Sequence, residues 1–181
     1  MDKQASATVF HLRFPAGTSK EEVHEKCYAC LHRHLETRWH LTEREMEIAR
    51  DKDGKPYLAH HPNVHFNISH SGTEALVAIA NRPVGVDIEA VKADSDLRLA
   101  RRIFSEEDYD AFVCGGATPQ ALAEAWVQKE AALKLSGEGI RGDFKQAAQK
   151  GKTVLLPVGD KYRAALCAAE DMDVLVRRED G

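Results

Sequence analysis

The order of apolar and polar positions divides the chain into strands of period two and helices of period near four. Ala7–Phe14 reads as an opening strand, and Pro15-Ala16-Gly17 turns the chain after it. Ser19 is placed to cap a helix, with Glu21 and Glu22 in its first turn, where the helix dipole favours acid. That helix is expected to reach about Arg38, with Val23, Cys27, Leu31 and Leu35 as a buried stripe. Glu45–Arg50 reads as a strand, and Asp51–Pro56 as a polar turn rich in breakers. Val64–Ile68 alternates like a half-buried strand, Ser69-His70-Ser71-Gly72 interrupts it, and Ala75–Ala80 resumes as a strand. Asn81-Arg82-Pro83 then turns the chain into Val84–Glu89.

Asp96–Ile103 reads as a short helix, and Ser105-Glu106-Glu107 opens another by its capping pattern. Gly115-Gly116 breaks it. Thr118-Pro119 is a strong helix start, a cap followed by proline at the first helical position. The helix is predicted from Pro119 to about Ser136, stopped by Gly137-Glu138-Gly139. Lys152–Val158, Tyr162–Ala168 and Val174–Arg177 are the closing strands.

A chain of 181 residues, 43% hydrophobic and 30% charged, is expected to form one compact unit or two small lobes sharing a core. That apolar content argues against disorder. A net charge of −4 gives no support for general nucleic-acid binding, so any basic surface must be local. No apolar run approaches the roughly 18 residues of a membrane span, and MDKQASATVFHLRFPAG lacks the apolar core of a secretory signal. The expectation is a cytoplasmic protein whose four cysteines are reduced thiols.

Two stretches add candidate chemistry. In Val84-Gly85-Val86-Asp87-Ile88-Glu89 the apolar residues take one face of a strand, so Asp87 and Glu89 project together from the other. Two adjacent carboxylates suit a hard cation, Mg²⁺ before Ca²⁺ or Mn²⁺; a solvated strand face is the plainer alternative. On the long helix Trp126, Glu130 and Lys134 recur every four residues and lie nearly in one row. Glu130 and Lys134 are either an ordinary surface ion pair, or a third carboxylate for the metal and a lysine facing what the metal binds. A metal, a lysine and a diphosphate are the usual parts of phosphoryl-type transfer.

The remaining candidates are weaker singly. His70 sits among small hydroxyl residues and glycine, where backbone N–H groups approach an anion. Lys55, on the turn Gly54-Lys55-Pro56, is either solvated or a phosphate-binding point charge. The first helix carries His24, Cys27, Cys30, His32 and His34, a set that suggests zinc, although no second C-x-x-C supplies the separated pair common in structural zinc sites.

GKPYL, FNISHSG, GVDIE and WVQKEAALKLSGEG, in this order, resemble the 4′-phosphopantetheinyl transferase superfamily. The likeness covers Gly54 to Gly139 and is to the pseudo-dimeric type that includes the surfactin-synthetase activators. It extends more loosely through FSEEDY (Phe104–Tyr109) and YRAALCAA. The resemblance implies an α+β fold of two similar lobes, about 1–83 and 84–181, with the site between them. It implies a monomer that moves the phosphopantetheine arm of coenzyme A to a serine of an apo acyl or peptidyl carrier protein. Adenosine 3′,5′-bisphosphate is the released product. This is the activity of a holo-[acyl-carrier-protein] synthase, serving fatty-acid, polyketide or nonribosomal peptide synthesis.

Carried over by position, Asp87, Glu89 and Glu130 hold Mg²⁺, with Mn²⁺ as an alternative. Lys55, Pro56, Ser69 and His70 contact coenzyme A, Lys134 steadies the diphosphate, and Glu130 activates the attacking serine, either directly or through a metal-bound water. The family's longer basic N-terminal region has no match here. Lys20, Lys26 and Arg33 are the substitutes for gripping the nucleotide 3′-phosphate. Arg98, Arg101 and Arg102, beside Leu97 and Phe104, form either a patch for an acidic carrier or a solvated helix face. A non-catalytic relative that binds coenzyme A or a carrier is the alternative function.

Overall fold

The structure is a computed structural model, and it describes residues 4–138 and 143–180. Gly139, the last glycine of the expected helix stop, lies outside them. The elements in order are β1 (Ser6–Arg13), α1 (Lys20–Trp39), β2 (Ile48–Arg50), β3 (Pro56–Leu58), β4 (His65–Ser71), β5 (Glu74–Ala80) and β6 (Val84–Ala90). There follow α2 (Leu97–Ile103), α3 (Glu106–Cys114), α4 (Pro119–Ser136), a 3-10 turn at Ala147–Lys150, β7 (Lys152–Leu155), β8 (Tyr162–Ala168) and β9 (Asp173–Asp180). The fold is α+β. Among the described residues no helix is long and apolar enough to cross a membrane.

One sheet has the order β4-β5-β1-β9 and another β6-β8-β7, with β2 and β3 a separate pair. The first sheet is antiparallel except that β9 runs parallel to β1, so the end of the chain returns to the sheet where it began. On one face of this sheet Phe10, Leu12, Val77 and Ile79 pack against Val23, Cys27, Leu31 and Leu35 of α1. On the other face Val9, Leu76 and Ala78 pack against Val86, Ile88 and Leu166 of the second sheet. The far face of the second sheet, through Ala165 and Cys167, meets Val127, Ala131 and Leu133 of α4, together with Ile103 and Phe112. The layers therefore run helix, sheet, sheet, helix. Every residue of β5 is buried because that strand lies inside on both faces.

Local chemistry explains the helix limits. Ser19 Oγ accepts from Glu22 N to open α1, and Thr118 Oγ1 accepts from Ala121 N to open α4 ahead of Pro119. Gly137, at φ 83°, ends α4 in the left-handed conformation that glycine adopts without strain.

Several strand limits differ from the sequence reading: β9 runs on past Arg177 to Asp180, and Pro56 opens the unexpected strand β3 rather than closing the polar turn. Glu45–Glu47 forms turns: Glu45 Oε2 accepts from Thr42 N and Oγ1, and Met46 N donates to Thr42 O to close the turn. Leu156 N still bonds Ala164 O, but Pro157 has no N–H to continue the ladder. Ser69-His70-Ser71 is not a loop; it completes β4, and the chain turns at Gly72-Thr73.

Candidate active site

β6 is an edge strand, and a buried edge must find partners for its free N–H groups. Alternate side chains of β4 provide them. Asn67 Oδ1 accepts from Val86 N at 2.9 Å, Ser69 Oγ from Ile88 N at 3.4 Å and Ser71 Oγ from Ala90 N at 3.2 Å. The N-I-S-H-S segment thus stitches the first sheet to the second. On β6, Val84, Val86 and Ile88 enter the core between the sheets. Gly85, Asp87 and Glu89 take the opposite face, where α4 packs so closely that a Cβ at Gly85 would meet Ala131 O at 2.1 Å.

This close packing brings α4 to the acids. Lys134 Nζ donates to Asp87 Oδ1 at 2.7 Å and to Ser69 Oγ at 2.9 Å, and Ser69 Oγ donates to Asp87 Oδ1 at 2.8 Å. The Ser69 hydroxyl therefore serves as one donor and two acceptors, its full capacity. Glu130, one turn before Lys134, is 6% exposed, and its Oε1 has no hydrogen-bond partner. Burial raises the Glu130 pKa, the Asp87 carboxylate raises it further, and Lys134 and Arg102 oppose. Burial and Asp87 likewise raise Glu89. The three acids share one electrostatic neighbourhood although 43 residues separate Asp87 from Glu130.

An all-oxygen donor set containing an orphaned, buried carboxylate oxygen fits a hard divalent cation. The acids are not drawn to ligand spacing: among the described residues the one trio of donor atoms within 4.8 Å of one another is Cys30, His34 and Glu179. A cavity of about 280 Å³ opens beside Glu89, walled by Lys92, Leu99, Leu122 and Trp126.

The other sequence candidates lie around this centre. His70 is exposed; its pKa is lowered by burial, then by the positive charge of Lys134 and of Lys20, with His24 adding to it. Lys20 thus reaches the His70 neighbourhood, whereas Arg33 pairs with Glu179. Lys55 and Pro56 line a separate cavity of about 250 Å³ with Tyr57 and His65. The Lys55 ammonium donates to Leu135 O at 2.9 Å and Val84 O at 3.3 Å, holding the end of α4 to the start of β6. Arg101 stacks over Tyr109 at 4.4 Å, and Arg102 lies 5.3 Å from the Phe144 ring centre. Asn67 and Ser71 escaped the sequence reading of function; their signal is the polar residue at every second position of β4.

Two family models match. One, described as the 4′-phosphopantetheinyl transferase superfamily, covers residues 83–170, and the other, 4′-phosphopantetheinyl transferase N-terminal, covers residues 26–83. The chain is 41% identical over 90 residues to the 4′-phosphopantetheinyl transferase psf-1 of Bacillus pumilus, across 49% of this chain and 38% of that protein. It is 32% identical over 108 residues to the 4′-phosphopantetheinyl transferase Sfp of Bacillus subtilis (strain 168), across 59% and 48%. Against enterobactin synthase component D of Escherichia coli O157:H7 it is 36% identical over 75 residues, across 40% and 36%. The chain thus spans half or less of the length of each of these relatives.

Proposed function

Since this chain belongs to the 4′-phosphopantetheinyl transferase superfamily, we propose that it transfers the 4′-phosphopantetheine arm of coenzyme A to a serine of an apo acyl or peptidyl carrier protein. The observation that supports this most is the buried junction of Asp87, Ser69 and Lys134, with the unpartnered Glu130 carboxylate beside it.

In the reaction the serine oxygen forms a bond to the phosphorus that carries the pantetheine arm. The diphosphate P–O bond breaks, and adenosine 3′,5′-bisphosphate leaves with the electron pair. Asp87, Glu89 and Glu130 would hold Mg²⁺, or Mn²⁺ in its place, and the ion would neutralise charge on the diphosphate. Lys134 is placed to donate to a diphosphate oxygen once its bond to Asp87 loosens, adding positive charge where negative charge develops. Glu130, one helical turn from Lys134, is the base that takes the serine proton. Lys20 offers positive charge and His70 an imidazole N–H for nucleotide phosphate, and Lys55 and Pro56 line a cavity of their own.

In this reading residues 1–83 and 84–181 are two similar lobes, and the protein works as a cytoplasmic monomer. A binding-only relative is disfavoured, because Asp87, Glu89, Glu130 and Lys134 are all present.

The test is incubation with coenzyme A, Mg²⁺ and a panel of apo carrier proteins, followed by mass spectrometry of the carrier serine. Transfer to at least one carrier is expected, and none by Asp87→Ala. No transfer to any carrier, or undiminished transfer by the variant, overturns the reading.

A further inference from the structure

The cysteine- and histidine-bearing face of α1 plays no part in the reaction proposed above, yet it meets a third ligand type from the far end of the chain. Cys30 and His34 are one helical turn apart and share a face. Glu179 of β9 lies against both: Cys30 Sγ is 3.8 Å from Glu179 Oε2, and His34 Nε2 is 2.8 Å from Glu179 Oε1. β9 is brought there by its parallel pairing with β1, which packs on α1.

We propose that Cys30, His34 and Glu179 form a second metal site, selective for Zn²⁺ or a similarly borderline-soft divalent ion, which fastens β9 to α1. The donor set is sulfur, nitrogen and oxygen, the combination zinc takes and Mg²⁺ does not. In a tetrahedral zinc site neighbouring donors stand about 3.3–3.8 Å apart, given bonds of about 2.0–2.3 Å. The sulfur stands at that spacing from Oε2 while the nitrogen lies against the other oxygen, Oε1, so the carboxylate must turn to bring one oxygen to both donors, all three ligand atoms lying within 4.8 Å of one another. The nitrogen–oxygen pair must open by about half an ångström.

The His34 ring lies flat on Phe10, at 3.7 Å and 9°, and Nδ1 is buried with no hydrogen-bond partner. Among the described residues, Glu179 is the hydrogen-bond partner of the imidazole and Phe10 its stacking partner. A histidine kept solely as a hydrogen-bond staple would be expected to have both nitrogens satisfied.

Burial pushes the Cys30 thiol up to about 12, with the Glu179 charge adding to it, so the metal-free site holds a thiol. Zinc would displace that proton to solvent and bind the thiolate. Cys30 and Glu179 then supply two negative charges for the two positive charges of the ion. Arg33 is paired with Glu179 Oε2 and keeps its hold there when the ion takes Oε1. Cys30 is 2% exposed, whereas the His34 and Glu179 side chains are 13% and 22% exposed, which leaves a route for the ion and a coordination position open to water. Cys27, a turn earlier and fully buried, adds to the environment of Cys30 but is not among the three donors.

The test is titration of the chelator-treated full chain with Co²⁺, read by its thiolate-to-cobalt charge-transfer absorption, then displacement by Zn²⁺. One Co²⁺ per chain is expected, bleached by one equivalent of Zn²⁺, with zinc raising the melting temperature. Cys30→Ser should abolish the band. His34→Gln and Glu179→Gln should each weaken binding by more than the roughly 10–100-fold that loss of an outer-shell partner costs. Asp87→Ala should leave the band intact, so failure here is separable from failure of the transferase reading. Cys114→Ser, which removes the exposed cysteine, should also leave it intact. Absence of the band from the wild-type chain overturns the proposal, whether or not a variant folds. So does a band that survives Cys30→Ser or is lost in Cys114→Ser.

Discussion

Lys134 Nζ lies 2.7 Å from Asp87 Oδ1, so in this state the lysine and a metal ion compete for the same carboxylate. Their roles in catalysis and in metal binding then separate. Lys134→Ala should lower kcat/KM for transfer by about 10²-fold or more, the usual cost of losing one preorganised donor to a developing charge. Mg²⁺ affinity without coenzyme A should hold or rise, since a competitor has gone. Steady-state kinetics beside calorimetric Mg²⁺ titration checks both; a parallel fall in the two would count against competition at Asp87.

Glu130 shows the cost of such a site. Its folded-state pKa is raised, so above that value the fold carries a buried charge that the unfolded chain solvates freely. Metal-free stability should fall as pH rises from the ordinary value of 4.5 through the raised one. Glu130→Gln removes that charge. At pH 7.5 and without metal the variant should melt higher, by about 2–4 °C for each kcal/mol relieved, while transfer is lost. Thermal melts in chelator with activity assays measure both; a variant melting below wild type would contradict a destabilising Glu130 charge.

Gly85 fixes the distance between β6 and α4. A methyl group there would stand 2.1 Å from Ala131 O and 2.4 Å from Leu135 N, both backbone atoms that cannot swing aside. Gly85→Ala should destabilise the protein by at least the roughly 1–3 kcal/mol typical of overpacking. Because the same shift carries Glu130 and Lys134 away from Asp87, activity should fall further than stability does. Comparing chemical denaturation with transfer rates under conditions where both proteins are folded would separate the two effects.

These three residues also show what a single sequence discloses. The ends of α4 were legible because Thr118-Pro119 and Gly137 act within one turn of the chain. The projection of Asp87 and Glu89 from one face was legible because period two is local. The partner of Lys134 was not, since the ordinary reading paired it with Glu130 on its own helix rather than with Asp87 on β6. The pairing of β9 beside β1, and hence the position of Glu179, depends on contacts across nearly the whole chain. The β4 serines look the same in sequence whether they ring an anion or support a neighbouring strand. The adjacency of β6 is what shows that they also support a strand.

Asn67 tests that support. It is 6% exposed, and its Oδ1 is the acceptor for Val86 N. Asn67→Ala leaves a buried N–H without a partner, at a cost of about 1–3 kcal/mol. Hydrogen exchange at Val86 should accelerate well before global unfolding, because the second sheet loses its tie to the first while its pairing with β8 persists. Exchange at Val86 unchanged from wild type would mean that other contacts hold the sheets together.

Lys55 joins the end of α4 to β6 through Leu135 O and Val84 O, and burial lowers its pKa below 10.5. Between the lowered value and 10.5 the unfolded chain holds a proton that the folded chain has released, so stability rises with pH across that interval. Below it the full cost of the buried charge is present. Lys55→Met keeps most of the apolar stem but removes the charge and both bonds, so the variant should be less stable where those bonds outweigh the charge. The stability of wild type relative to the variant should climb as pH rises toward 10.5. Taking the difference cancels Lys129, whose pKa burial also lowers. Denaturant unfolding of both proteins from neutral to alkaline pH gives this difference directly. A flat line would mean that the Lys55 ammonium is as well solvated in the fold as in the open chain.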